Sequence, residues 1–125
     1  MQNNACILVC VTTQKSCARL IHRGRELAVE HFLPLKVIHV SGGVTMMGNP
    51  DIAGGLDYLY AQARECNAEM EILFGTDNKS RICAFAREHH ARYIVLGRAA
   101  TEEVQAAFAA ALCRLLPGVE FVFCE

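Results

Sequence analysis

Residues 93–101 read Tyr93-Ile94-Val95-Leu96-Gly97-Arg98-Ala99-Ala100-Thr101, and this stretch decides the fold of the chain. Its four apolar residues predict a buried β-strand, Gly97 ends that strand, and Thr101 is a favourable cap for a following helix. In an open α/β sheet, such a junction lies at the carboxyl edge, where the free N–H groups at the start of the helix can hold a phosphate. The stretch therefore predicts an α/β sheet with a candidate anion site.

The same alternation of strand and helix extends over the rest of the chain. Apolar or alternating runs predict strands at residues 5–11, 35–40, 68–74, 93–96 and 119–124. Parallel strands need crossovers, which are right-handed, and four amphipathic segments supply them. The pattern predicts one α/β domain over residues 1–125, a five-stranded parallel doubly wound sheet with two helices on each face. The third strand alternates polar and apolar residues, which indicates an edge position.

The helix faces that should pack on the sheet follow from the helical period. In chain order they are Cys17, Leu20, Ile21, Gly24, Leu27 and Ala28; Leu56, Leu59, Tyr60 and Ala63; Ile82, Phe85 and Ala86; and Val104, Ala107, Phe108, Ala111, Leu112 and Leu115.

Composition excludes several classes of partner. The net charge of −1 provides no attraction to nucleic acid or to an anionic membrane surface. No apolar run is long enough to span a bilayer, and the start of the chain does not resemble a signal peptide. We therefore expect a cytoplasmic protein without nucleic-acid or membrane partners.

The reactive side chains follow no catalytic or metal-binding motif. The seven cysteines are odd in number and form no Cys-x-x-Cys pair, so we expect reduced thiols packed as small apolar residues. The five histidines follow no zinc pattern, and no nucleophile elbow or Walker loop is present. We expect no metal site and no catalytic residue; a thiol or metal function is the least favoured alternative.

Three segments resemble the universal stress protein family, and the resemblance covers nearly the whole chain. They are Ile7-Leu8-Val9-Cys10-Val11, Leu35-Lys36-Val37-Ile38-His39-Val40 and Ala91-Arg92-Tyr93-Ile94-Val95-Leu96-Gly97. The resemblance implies an adenine nucleotide alpha hydrolase-like three-layer sandwich with strand order 3-2-1-4-5. It also implies an ATP site between strands 1 and 4, and homodimers paired through the fifth strand.

Two further stretches are similar to the stress-protein-like domain of the potassium-sensing histidine kinase KdpD. They are Thr12-Thr13-Gln14-Lys15-Ser16 with Leu20-Ile21-His22-Arg23, and Phe74-Gly75-Thr76-Asp77 with Ala84-Phe85-Ala86-Arg87-Glu88-His89. This similarity implies a role in signalling, with a signalling protein as a partner.

The chain departs from the ATP-binding pattern of that family. The pattern has an aspartate after strand 1, a glycine after strand 4, a second glycine three positions on, and later a glycine followed by Ser or Thr. This chain has Thr12, Gly97, Ala100 and the pair Ala110-Ala111 at those positions. If position 100 needs a left-handed backbone, alanine there costs ~1–2 kcal/mol, and a lost phosphate hydrogen bond costs roughly 1.5–3 kcal/mol. Together they weaken binding about 100- to 1,000-fold or more. We expect weak ATP binding or none.

These observations predict a non-catalytic sensing or regulatory domain with a degenerate nucleotide site. The candidate nucleotide-binding residues are Thr12, Thr13, Ser16, Val40, Gly97, Arg98, Ala100 and Thr101. An adenine nucleotide is the candidate ligand, and a different adenine nucleotide such as a cyclic dinucleotide is an alternative to ATP. Two alternatives stay open: Gly97 and Thr101 only form a turn and a helix cap, or the chain is a ligand-free interaction module that dimerises through residues 119–124.

Overall fold

Strands and helices alternate along the whole computed structural model, which describes residues 5–11, 17–41, 50–75, 78–97 and 102–124. The strands are β1 (Cys6–Cys10), β2 (Leu35–Ser41), β3 (Glu69–Phe74), β4 (Ala91–Gly97) and β5 (Glu120–Cys124). The helices are α1 (Ala18–His31), α2 (Pro50–Glu65), α3 (Asn78–Glu88) and α4 (Glu102–Leu115).

The five strands form one parallel sheet in the order β3-β2-β1-β4-β5. This confirms the predicted fold class, including the position of the third strand at an edge. Val9 of β1 pairs with Val37 on one side and with Val95 on the other. These three residues are fully buried, as is typical of parallel strands covered by helices on both faces.

Two apolar clusters, one on each face, hold the layers together. Ile7 and Val9 face a cluster built with α1 and α2, whereas Cys6 and Leu8 face a cluster built with α3 and α4. Alternation along β1 divides its side chains between the two clusters. Each face therefore carries two helices, as predicted.

Most of the predicted helix faces are confirmed, and the errors lie beside correct residues. Tyr60 is 51% exposed although Leu59 is fully buried, because one helical step turns a side chain by about 100°. In α4, Leu115 is 42% exposed and Leu116 is buried instead, since Leu116 follows the buried Leu112 by four residues. Ala107 is exposed, Cys17 is half-buried, and the side chain of Val104 lies outside the described part.

Helix α1 lies unusually close to the sheet at Gly24. A Cβ atom at this position would clash with Cγ2 of Val9 and lie 2.9 Å from Cδ1 of Leu35. Both neighbours are buried side chains of the sheet. The missing side chain therefore sets the spacing between this helix and the two strands beneath it.

Phe32 ends α1 in a conformation that suits it poorly. Its φ is 56°, in the left-handed region, and its side chain is 91% exposed. We expect Phe32→Asn to raise the free energy of unfolding by about 0.5–1 kcal/mol, because asparagine tolerates this region better and no buried contact is lost. Urea unfolding measures the change. Asn67, at φ 62°, is the reciprocal control: Asn67→Phe should destabilise, and an unchanged midpoint for both variants would contradict the argument.

No helix in the described part of the chain is both long and apolar enough to cross a bilayer.

Candidate functional site

The carboxyl ends of β1, β2 and β4 meet at one edge of the sheet. Since Val9 pairs with Val37 and Val95, two residues further on the sheet register brings Val11, His39 and Gly97 to the same level. Neighbouring strands are about 4.8 Å apart, so this level is roughly 10 Å wide from β2 to β4. It is the edge at which open α/β sheets bind ligands.

Two of the eight predicted site residues lie within the described part of the chain. Val40 is half-buried near the end of β2 and packs on the α3 and α4 cluster. Gly97 is exposed at the end of β4, on the face covered by α1. They therefore flank the end of β1, one on each face of the sheet. The other six, Thr12, Thr13, Ser16, Arg98, Ala100 and Thr101, lie outside the described residues.

Gly97 is not required by the backbone or by close packing. Its φ is outside the left-handed region, and a Cβ atom there would make an ordinary contact of 3.6 Å with Cδ1 of Leu20. An alanine would therefore fit the fold. What a side chain would change is the space above the end of β4, through which a ligand would approach the main chain.

His39 belongs to this edge, although its sequence pattern indicated only a surface or core histidine. Its Nδ1 atom lies 3.0 Å from the carbonyl oxygen of Val11. A carbonyl oxygen only accepts, so Nδ1 carries the proton and donates it. This bond fixes the ring beside the end of β1, and Nε2 has no partner among the described residues. The side chain offers a hydrogen-bonding group at the candidate site.

The thiol of Cys10 stands directly below this edge. Burial, and secondarily the nearby thiol of Cys83, raises the pKa of Cys10 from 9.0 to about 12. The group is thus protonated at neutral pH and is a poor nucleophile, because thiolates are the reactive form. Burial likewise raises the pKa of Cys6 at the other end of β1, against the opposing effect of Lys36.

Arg81 places a positive charge further along the same edge. Its Cγ atom would lie 2.7 Å from a Cβ atom at Gly75, so the side chain lies close against the turn that follows β3. Its Nε atom is buried and has no hydrogen-bond partner among the described residues. Since strand β3 is two positions from β1, Arg81 flanks the candidate site rather than lining its centre. No motif in the sequence marks it.

The two alanines at the positions of the family's Gly-Ser pair lie inside a helix. Ala110 and Ala111 occupy the ninth and tenth positions of α4, which runs from Glu102 to Leu115 without a break. Their N–H groups are used by the i to i−4 hydrogen bonds of the helix. Main-chain donors at these two positions are therefore not free to bind a ligand.

Away from this edge, one cysteine thiol lies close to a histidine ring. The Sγ atom of Cys66 is 3.8 Å from Nδ1 of His22, whose Nε2 is 3.0 Å from Oε1 of Gln62. All seven cysteines are free, and Cys113 is exposed rather than packed as expected. Within the described residues, no three metal-ligating side chains come together, and a structural zinc site needs about four.

The arrangement defines a doubly wound α/β protein of the universal stress fold. A universal stress protein from Archaeoglobus fulgidus has 22% identity and a TM-score of 0.68, with 97% of this chain and 98% of that one covered. A universal stress protein from the same organism in complex with dAMP has 21% identity, a TM-score of 0.65 and the same coverage. Another, in complex with cAMP, has 17% identity, a TM-score of 0.68 and the same coverage.

At these identities, the likeness is one of fold. No protein-family model matches the chain, and no curated protein matches it.

Proposed function

We propose that this chain is a non-catalytic regulatory domain of the universal stress type, with a degenerate nucleotide site at the carboxyl edge of β1 and β4. The observation that carries the proposal is the uninterrupted helix α4 behind an open Gly97. The first half of a phosphate-binding junction is retained, whereas the segment that would supply its second half is helical. A role in signalling, with a signalling partner, follows from the similarity to the KdpD domain.

The ligands of two structural neighbours support an adenine nucleotide with a single phosphate. Those neighbours bind dAMP and cAMP. A single phosphate needs only the donors next to Gly97 and the start of α4, where a helix N-terminus favours negative charge. A β- or γ-phosphate would need further donors, and the N–H groups of Ala110 and Ala111 are committed to the helix. We therefore expect AMP-like ligands to bind better than ATP.

Within the described residues, a protonated thiol next to the candidate site supports the non-catalytic part of the proposal. Burial keeps the thiol of Cys10 protonated at neutral pH, with its pKa raised to about 12. Covalent catalysis by a thiol needs its ionised form near the working pH, and Cys10 is not ionised there.

Isothermal titration calorimetry with AMP, cAMP, ATP and cyclic di-AMP tests the proposal. We expect ATP to bind in the roughly millimolar range or not at all, because losses of about 100- to 1,000-fold separate this site from a micromolar one. AMP should bind more tightly than ATP. Micromolar ATP binding would contradict a degenerate site, and no heat with any of the four at millimolar concentration would remove the nucleotide function.

A matched pair of glycine variants tests where the nucleotide binds. Gly97→Ala fits the fold but occupies the approach to the end of β4, so it should weaken AMP binding at least tenfold. Gly54→Ala, on an exposed part of α2 with no atom within 4 Å of the new Cβ, should leave the affinity unchanged. Equal affinities for Gly97→Ala and the wild type would place the ligand elsewhere.

A ligand-free dimerisation module is the second candidate. Strand β5 is an edge strand, and its Phe121, Val122, Phe123 and Cys124 are half-buried in the single chain. An apolar edge of this kind needs covering. If this candidate is right, light scattering should give a dimer whether or not nucleotide is present; a chain that stays monomeric at high concentration would exclude it.

A further inference from the structure

The outer edge of β3 carries unused hydrogen-bonding groups. This strand pairs with β2 on one side only, and no described strand lies on its other side. Every second residue of an edge strand directs its N–H and C=O outward, which makes such an edge a template for another strand. The edge lies opposite β5 in the sheet, so it is separate from the dimer surface considered above.

The two ends of β3 differ in shape. At the carboxyl end, the side chain of Phe74 is 66% exposed. At the amino end, an open cavity of about 460 Å³ lies between the strand and α2. Its lining residues are Tyr60, Arg64, Ala68, Glu69, Met70 and Glu71. The strand thus has an aromatic projection at one end and a recess at the other.

The recess reaches the face of the sheet to which Phe74 points, although Glu69 and Glu71 also line it. Met70 packs against the cluster formed with α1 and α2. Because side chains alternate along a strand, Ile72 and Phe74 point to that face as well. Phe74 lies four positions after Met70, a distance of about 13 Å along the strand. An antiparallel copy of the same strand would bring each projection to the other copy's recess.

We propose that two copies of this chain pair through antiparallel β3 strands, with Ile72 on the two-fold axis. This register places Phe74 of each copy opposite Met70 of the other, at the mouth of the cavity and beside Tyr60. Paired residues on two antiparallel strands must point to the same face of the sheet. In a two-fold symmetric pair this requirement places one residue of the strand directly opposite its own copy. Centring on Glu71 would set two like charges directly opposite, which is unfavourable, whereas centring on Ile72 sets two apolar side chains together.

The cavity suits an aromatic side chain from the second copy. The side chain of Arg64 has no hydrogen-bond or ion-pair partner in the described part of the chain, so its guanidinium is available to lie over the ring of Phe74. Tyr60 is 51% exposed and adds an aromatic wall. The main-chain hydrogen bonds along the new strand pair would add to the apolar contact. Because of the two-fold symmetry, the insertion of Phe74 into the cavity would occur twice in each dimer.

The charges of β3 restrain this association without preventing it. Glu69 is held by Lys36 at 2.9 Å, and the hydrogen bond and charge of that lysine lower the pKa of Glu69. Glu71 lies on the other face from Phe74 and would stand opposite Leu73, with the second Glu71 about 7–8 Å away on the diagonal. This repulsion is exposed, so salt should screen it and strengthen the pairing.

Cysteine cross-linking tests the register directly. Ile72→Cys, in a Cys113→Ser background that removes the exposed native thiol, would meet its own copy at disulfide distance. Mild oxidation with diamide should give a disulfide-linked dimer on a non-reducing gel. Met70→Cys is the matched control, because the new cysteine would lie opposite Phe74 of the other copy and not opposite its own counterpart. It should give at least tenfold less disulfide-linked dimer. Equal yields from the two, or no dimer from Ile72→Cys, would overturn the proposal.

Sedimentation of Phe74→Asp is an independent second test that needs no new cysteine. Removing the exposed ring should weaken association through this edge at least tenfold without unfolding the chain, since Phe74 is not part of the core. A dimer held only by β5 leaves the two Ile72 positions at opposite ends of the assembly, so it would give no cross-link. An extended segment of another protein as the true occupant would also leave Ile72→Cys uncross-linked, and would overturn self-pairing.

Discussion

Replacing Gly24 by alanine is expected to lower the free energy of unfolding by about 2 kcal/mol. The new Cβ would clash with Val9 and lie 2.9 Å from Leu35, and both side chains are buried in the sheet. Overpacking of a well-filled core costs about 1–3 kcal/mol, and we expect the upper end because these neighbours belong to paired strands. Better helix propensity returns at most about 1 kcal/mol of that loss.

Gly54→Ala is the matched control for this prediction. It makes the same chemical change within α2, at an exposed position where the Cβ would meet no atom within 4 Å. Its only effect should be on helix propensity, so the variant should gain about 0.5–1 kcal/mol. Urea unfolding of both variants gives the comparison. A Gly24→Ala variant as stable as Gly54→Ala would show that α1 can move away from the sheet at little cost.

Stability should fall steeply as the pH rises from about 9 to 12, and Cys10 should account for part of the slope. Burial raises the pKa of Cys10 in the folded chain to about 12, whereas the unfolded thiol ionises near its ordinary value of 9.0. Between these values the unfolded chain releases a proton that the folded chain keeps, so rising pH favours unfolding. One such thiol contributes about 1.4 kcal/mol per pH unit, on the order of 4 kcal/mol over the whole interval.

Cys10→Ala isolates this contribution. Urea unfolding at pH 8, 9, 10 and 11, with reductant present, should give a shallower decline for the variant than for the wild type above pH 9. Below pH 9 the two curves should run parallel, since the thiol is protonated in both states. Cys6, whose pKa burial also raises, is common to both proteins and cancels in the comparison. Parallel curves throughout would show that the Cys10 thiol ionises normally.

The pattern of neighbouring residues was sufficient to predict the strands, the helices and most of the buried residues. The apolar run of β1 and the face of α1 that holds Leu20, Ile21 and Gly24 are read from residues close in sequence. The mistakes at Tyr60 and Leu115 lie one helical step from a buried residue, where hydrophobicity alone does not separate neighbours. The strand order came from the resemblance to a family, because strand and helix periodicity does not specify which strands are adjacent.

The candidate site was less predictable, because its contacts join distant parts of the chain. His39 reaches Val11 across 28 residues, and Arg81 rests against Gly75 through its aliphatic stem. Neither contact follows from a motif. The sequence marked Ala110 and Ala111 as departures from a binding pattern and placed Ala111 on a helix face, and the structure confirms that both residues lie within α4. All eight proposed ligand-contacting positions stay predictions, and six of them lie outside the described residues.

A parallel sheet bordered by β3 and β5 has two margins on which an identical molecule can be added. If one margin alone recruits a copy, growth stops at two subunits. If both do, every addition exposes a fresh margin, and the product is a ribbon whose length rises with protein concentration and has no fixed stoichiometry. The negative charge of Glu71 would then oppose elongation. Because salt screens this repulsion, ionic strength would set the mean number of subunits.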